Sequence, residues 1–268
     1  IFNSTFDLET ANKSPYLDFQ RKYVEKSAYR TRNDIEMSNF SFKVRNSENG
    51  VNLARLFHVS GFQAVYFQNF TIQNIDAQFY FNTSAFHFHD IQQITVQDIN
   101  FINNTLALET TVAFLYFEAI HSVQINGLKM ISNDIKISVP TQSQFLAQFL
   151  QAPGVDFYDH VIANNIFGEQ SAAIFSCIPY AEPNFRNEID MTISKIRFTN
   201  NSYGSPGTPP IAYFQCEGPS LGTLLVENFT FSENHLSGKI LDFTIYSRGF
   251  GIVSSQDILT PAQRTFKG

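Results

Sequence analysis

The densest group of side chains able to move a proton is built on a His-x-His. His87 and His89 lie on one short run, with Asp90 beside them. His58 precedes His87 by 29 residues, and Glu118 follows His89 by the same interval. Imidazoles titrate near neutrality, and a carboxylate one repeat away could complete an acid–base pair or a metal site. The same spacing also describes a polar column on the outside of stacked strands, which needs no chemistry at all. A second pair of reactive groups is Cys177 and Cys216, the only cysteines. They sit in matching contexts, Ile174-Phe175-Ser176-Cys177 and Tyr213-Phe214-Gln215-Cys216. Placed on adjacent turns of a repeat they would lie within disulfide reach, as expected of an oxidising compartment. The alternative is two stacked, buried thiols. No Cys-x-x-Cys is present, so a thiolate metal site is not expected, and no metal or cofactor is assigned.

Modification chemistry is the third signal. Asn-x-Ser/Thr occurs at Asn3, Asn12, Asn39, Asn69, Asn82, Asn103, Asn200 and Asn228. Such sequons accept N-linked glycans where the asparagine faces solvent in a secreted protein. Asn12 is the weakest, because Pro15 follows its Ser14. Asn39, Asn69 and Asn228 share one context, Asn-Phe-Ser/Thr, at one position of a repeat. Asparagine also suits tight corners for its own reasons, since it tolerates the left-handed conformation.

The elements that must carry these groups are set by that repeat. Its clearest copy is residues 94–104, Ile-Thr-Val-Gln-Asp-Ile-Asn-Phe-Ile-Asn-Asn. Apolar pairs at Ile94/Val96 and Ile99/Phe101 flank a polar corner at Asp98. Equivalent frames begin at Ile35, Val65, Val123, Val155, Met191 and Leu224, with fainter copies at Ile1 and Val253. The intervals run from 29 to 36 residues. A third apolar patch precedes each copy, as at Phe57/Val59, Phe86/Phe88 and Leu115/Phe117. Period-two alternation in runs of three to five residues marks short strands with one buried face, and no 3.6-residue stripe survives the Asn-rich corners. Three strands per turn predict an all-β, single-stranded, right-handed parallel β-helix of eight or nine coils of 29–36 residues. The strand spacing makes that a rod of about 40 Å. Residues 1–34, which hold much of the local positive charge, are expected to form an irregular first coil or cap. Residues 35–260 form the solenoid, with longer loops at 138–144, 178–190 and 202–210, and 261–268 an exit tail. The second corner carries Asn104, Asn133, Asn165, Asn201 and Asn234 in register, and stacked amides there predict a hydrogen-bonded ladder. The sequence does not settle which residue of each Asn-Asn pair points inward.

Composition excludes some partners. A formal charge of −6 and a pI near 5.5 provide no basic stripe for nucleic acid. No run of about 18 apolar residues exists to span a membrane as a helix. The chain opens at Ile1 without a Met, which fits a processed secreted protein or a portion of a longer one.

The repeat resembles the pectin-lyase-like right-handed β-helix superfamily over residues 35–260. Its Asn-Asn corners and Phe/Ile columns are similar to the β-helix repeats of large extracellular surface proteins of protists, especially ciliates. The resemblance implies a fold shared by polysaccharide lyases and hydrolases, adhesins and structural surface proteins. Lyases of that superfamily carry an Asp/Glu calcium cluster with an Arg or Lys base, and the hydrolases carry close-set Asp residues. Neither set assembles here: Asp98 and Asp159 share a corner but lie two coils apart, with Gly127 between them. No catalytic residue is therefore assigned. The expectation is a secreted or surface-displayed glycoprotein with a structural or assembly role. Its frame runs to both ends of the chain, so open strand edges are expected to associate head to tail, as in a fibre or coat. The alternatives are a carbohydrate-active enzyme using His58, His87, His89 and Glu118, or an adhesin binding glycans through the loops at 178–190 and 202–210.

Overall fold

A computed structural model describes residues 2–8, 17–20, 34–44, 51–53, 56–80, 84–109, 115–137, 147–150, 152–167, 175–178, 189–203, 212–217, 222–235, 241–246 and 250–252. Among these every regular element is a strand, and every strand pairing is parallel. The chain is a β-solenoid. Each turn lies directly on the one before, because residues one repeat apart are backbone partners: Val65 with Ile94, Ile94 with Val123, Val123 with Val155 and Val155 with Met191.

One turn shows how sequence makes the shape. Phe86–Ile102 is a single 17-residue strand that bends twice, at Asp90 and Asp98, both with φ 53°. A left-handed residue redirects an extended chain without breaking the pairing on either side, and Asn, Asp and Gly reach that conformation at least cost. Three columns of such residues follow the solenoid. The first is Gly61, Asp90 and Ala119; the second is Asn39, Asn69, Asp98, Gly127, Asp159, Lys195 and Asn228; the third is Asn74, Asn103, Ser132, Asn164, Asn200 and Glu233. Between corners, side chains alternate in and out. Phe86, Phe88, Ile91, Ile94, Val96, Ile99 and Phe101 are all buried.

One expectation is corrected. A turn has four sides, not three. After the third corner a short strand (Asp76–Tyr80, Thr105–Glu109, Asp134–Ile137, Ile166–Phe167) pairs only with its equivalents in a separate six-stranded sheet. Its inward residues are few, Leu106, Ile135 and Phe167 among them, so its alternation is too short to register as a strand pattern. About four turns are described on every side, and on one side strands stay in register through nine levels, from Phe2–Leu8 to Phe250–Ile252, against the eight or nine coils expected. Beyond the four full turns strands pair on some sides of the turn only, as Phe2–Leu8 does on Asp34–Val44, and the intervening segments lie outside the described residues. So do Lys13, Arg21, Lys22, Lys26, Arg30 and Arg32, most of the loops, and the tail 261–268.

The core is a set of axial columns. Phe40 stacks on Phe70 at 5.1 Å between ring centroids, Phe88 on Phe117 at 5.0 Å, Phe117 on Phe149 at 5.1 Å and Phe198 on Phe231 at 4.8 Å. These separations match the distance between neighbouring strands, so a phenylalanine repeated in register must meet its copy face to face. Burial of each ring contributes on the order of 2 kcal/mol.

Candidate functional site

The corners present the acceptor groups. Asn39, Asn69 and Asn228 are exposed, with φ of 52°, 52° and 56°. Each stands at the bend between two inward pairs, such as Met37 and Phe40 around Asn39. The left-handed backbone turns the side chain away from the core. Asn69 Nδ2 donates to Asn39 Oδ1 at 2.7 Å, so neighbouring acceptors touch across one coil step. Asn103 and Asn200 are also exposed and left-handed. Their amides donate to Asn74 and Asn164, each at 2.8 Å. Asn3 lies within the strand Phe2–Leu8, whereas Asn12 and Asn82 lie outside the described residues.

The residue after each of those corners points the other way. Asn104, Asn133, Asn165, Asn201 and Asn234 are buried. Each amide nitrogen donates to a strand carbonyl: Ile72, Phe101, Met130, Ile162 and Phe198 respectively, at 2.8–3.0 Å. The first four also donate to the next asparagine's Oδ1 at 2.9–3.0 Å. That same oxygen takes the backbone N–H of the asparagine below. Each two-residue corner thus divides its labour: the first residue (Asn103, Ser132, Asn164, Asn200 or Glu233) bends the chain outward, and the asparagine after it closes the backbone bonds that the bend leaves open.

The histidines share the outer face of another side. His58, His87 and Tyr116 are partners in register, as are Ser60, His89 and Glu118. The rings of His58 and His87 stack at 5.1 Å, and Tyr116 lies 5.1 Å from His87. Glu118 does not meet His89, the partner that the spacing suggests. Its Oε2 lies 3.3 Å from Nε2 of His87, diagonally across the coil step. His87 is 16% exposed and Glu118 32%. Burial first, and the Glu118 carboxylate second, push the Tyr116 phenol up to about 12. Among the described residues no three His, Cys, Asp or Glu side chains converge as metal ligands. Asp98 and Asp159 are exposed in one corner column, with the bare backbone of Gly127 between them.

Cys177 and Cys216 stand opposite each other in backbone register. They continue the column that holds Phe88, Phe117 and Phe149. Partners on neighbouring strands are about 4.8 Å apart, within the Cα range that a disulfide bridges.

One residue escapes a reading of motifs. His160 occupies the inward column of Phe70, Ile99, Ile196 and Phe229, and is 1% exposed. Its Nδ1 accepts the Leu128 backbone N–H at 3.0 Å. Gly127 and Leu128 interrupt strand pairing between Leu115–Asn126 and Lys129–Ile131, so the imidazole supplies the acceptor a strand would have supplied. Burial holds its pKa well below the usual histidine value. The column position is the only signal in the sequence that it faces the core.

No family model, curated protein or solved structure matches the chain. Among the described residues no helix is long and apolar enough to cross a membrane.

Proposed function

We propose that the chain is part of a secreted or surface-displayed glycoprotein, a rod with a structural or assembly role. The observation that carries this reading is the outward, left-handed asparagine at equivalent corners, Asn39, Asn69 and Asn228, each within a sequon. An N-glycan needs an exposed acceptor on a turn, and this corner presents one at repeated heights along the rod. The in-register cysteines support the same compartment: as a disulfide, Cys177–Cys216 would join two neighbouring turns. Parallel solenoids also end in unpaired strand edges, which favour stacking of one copy on another into a fibre or coat. The Asn-Asn corners and Phe/Ile columns also resemble the repeats of extracellular protist β-helix proteins of the pectin-lyase-like type, which favours the same compartment.

The test is the intact mass of the unreduced chain produced through a secretory pathway, before and after N-glycan release. Expected are glycan mass at sites including Asn39, Asn69 or Asn228, and a deficit of two hydrogens that reduction restores. A mass equal to the bare 30.5 kDa polypeptide, with both thiols open to alkylation, would overturn the reading. A second reading, a carbohydrate-active enzyme, is favoured by the His87–Glu118 contact alone. It requires that His87→Ala and Glu118→Gln abolish turnover of an acidic polysaccharide.

A further inference from the structure

The second corner carries glycan acceptors on consecutive turns. Asn39 and Asn69 stand opposite each other, between the register pairs of Ser38 with Gln68 and Phe40 with Phe70. Asn3 falls opposite Asn39 in the same way, between the pairs of Phe2 with Ser38 and Ser4 with Phe40. All three begin a sequon: Asn3-Ser4-Thr5, Asn39-Phe40-Ser41 and Asn69-Phe70-Thr71. Neighbouring levels are about 4.8 Å apart. Asn39 and Asn69 share a φ of 52°, and Asn69 Nδ2 donates to Asn39 Oδ1 at 2.7 Å. Their amides therefore run side by side, and bonds formed at the two Nδ2 atoms would leave the rod together. In the third corner the acceptors stand apart. Asn103 lies there between Asn74 and Ser132, and Asn200 between Asn164 and Glu233, none of which begins a sequon.

We infer that neighbouring acceptors in this column exclude one another: a folded chain carries a glycan on Asn39 or on Asn69 and not on both, and likewise on Asn3 or on Asn39. The inference rests on the glycoprotein reading and adds a rule of occupancy to it. Each transfer joins an asparagine Nδ2 to the anomeric carbon of a lipid-pyrophosphate-linked oligosaccharide. The bond from that carbon to the pyrophosphate breaks, and one amide proton is lost. The first N-acetylglucosamine bears an acetamido and a hydroxymethyl group in the plane of its ring, which make it wider than one strand spacing. Two such sugars fit on adjacent levels only face to face, and the branched, mobile chains beyond them cannot hold that stack. Splaying the two asparagines would break their mutual bond. The levels themselves cannot separate, because Phe40 is stacked on Phe70 at 5.1 Å directly beneath. Asn3 and Asn69 are two levels apart, about 9.6 Å, and can be occupied together. A chain modified at both neighbours before folding would be hindered in closing these turns, so the rule applies to the folded, secreted protein.

The test is site-by-site occupancy in the secreted chain. N-glycans are removed by an amidase in heavy-oxygen water, which marks each formerly occupied asparagine as heavy Asp, and the peptides are quantified by mass spectrometry. Occupancies at Asn39 and Asn69 should sum to no more than one glycan per chain, as should those at Asn3 and Asn39. Thr71→Ala removes the Asn69 sequon and keeps its asparagine. Occupancy at Asn39 should then rise, by up to about twofold where the two sites share chains equally. Ser41→Ala should raise Asn3 and Asn69 in the same way. Neither substitution should change Asn103 or Asn200, and unchanged far-UV circular dichroism checks that the fold is kept. A sum above one glycan at either pair would overturn the inference. So would occupancy that responds to neither substitution, or glycans at other corners with none on Asn39 and Asn69. Those outcomes leave the glycoprotein reading standing, whereas a chain bare at every sequon overturns that reading and this inference with it.

Discussion

Replacing Asn133 by Ala measures what the buried ladder contributes. The Asn133 side chain makes four hydrogen bonds. It donates to the Phe101 carbonyl at 3.0 Å and to Asn165 Oδ1 at 2.9 Å. It accepts the backbone N–H of Asn104 at 3.0 Å and the Asn104 amide at 2.9 Å. Each such bond is worth roughly 1 kcal/mol net, and a buried donor left without a partner costs about 1–3 kcal/mol. Asn133→Ala deprives the Asn104 backbone N–H of its acceptor in a site shut off from water. The expected loss is therefore about 4 kcal/mol, a large share of the roughly 5–15 kcal/mol that holds a typical domain. The control is Asn103→Gly, one residue from the ladder. It removes a single exposed bond to Asn74 and keeps the left-handed corner, so a change within about 0.5 kcal/mol is expected. Equilibrium urea unfolding, followed by circular dichroism and tyrosine fluorescence, gives both numbers. Hydrogen exchange at Asn104 reports the local consequence, since its amide should lose protection in Asn133→Ala alone. A loss below about 1 kcal/mol, or one equal to that of the control, would refute the reasoning: the ladder would then be ornament on a fold held by its Phe columns.

Two further substitutions probe the interrupted coil. His160 is held neutral, its pKa well below the unfolded value of about 6.5. Its contribution is fully present above that pH, and is lost as pH falls through the folded-state value because only the unfolded chain binds the proton. The slope is at most about 1.4 kcal/mol per pH unit for one group. His160→Leu should flatten the difference in urea midpoint between pH 7.5 and pH 5, and an unchanged difference would contradict the assignment. Gly127→Ala should destabilise by about 2 kcal/mol on the same assay. Its φ is +74°, and a Cβ there would lie 2.9 Å from Asp98 Oδ1 and 3.3 Å from the Asp98 backbone nitrogen. A neutral outcome would mean that the Asp98 corner yields easily.

The parts of this fold that were legible in the sequence are those where one residue's role repeats in register. Val65, Ile94 and Val123 show the stacking because each turn needs the same apolar residue at the same height. The Asn series at 104, 133, 165, 201 and 234 is visible for the same reason. The fourth side is not, because Leu106 and Ile135 stand nearly alone in their strands and give no alternation to count. The diagonal of Glu118 to His87 is hidden too, since spacing identifies the partner in register and a long side chain can reach past it.

The parallel pairing also determines how the rod responds to force. Its backbone bonds and its amide ladder both point along the axis, so axial tension is carried by the junctions between turns in series. A chain of links in series fails at its weakest member. Where Gly127 and Leu128 part the strands, the Leu128 amide hangs from an imidazole and not from a carbonyl. At that junction a side chain, and not the backbone alone, carries part of the load. Acid, by protonating His160, would lower the load at which the junction opens.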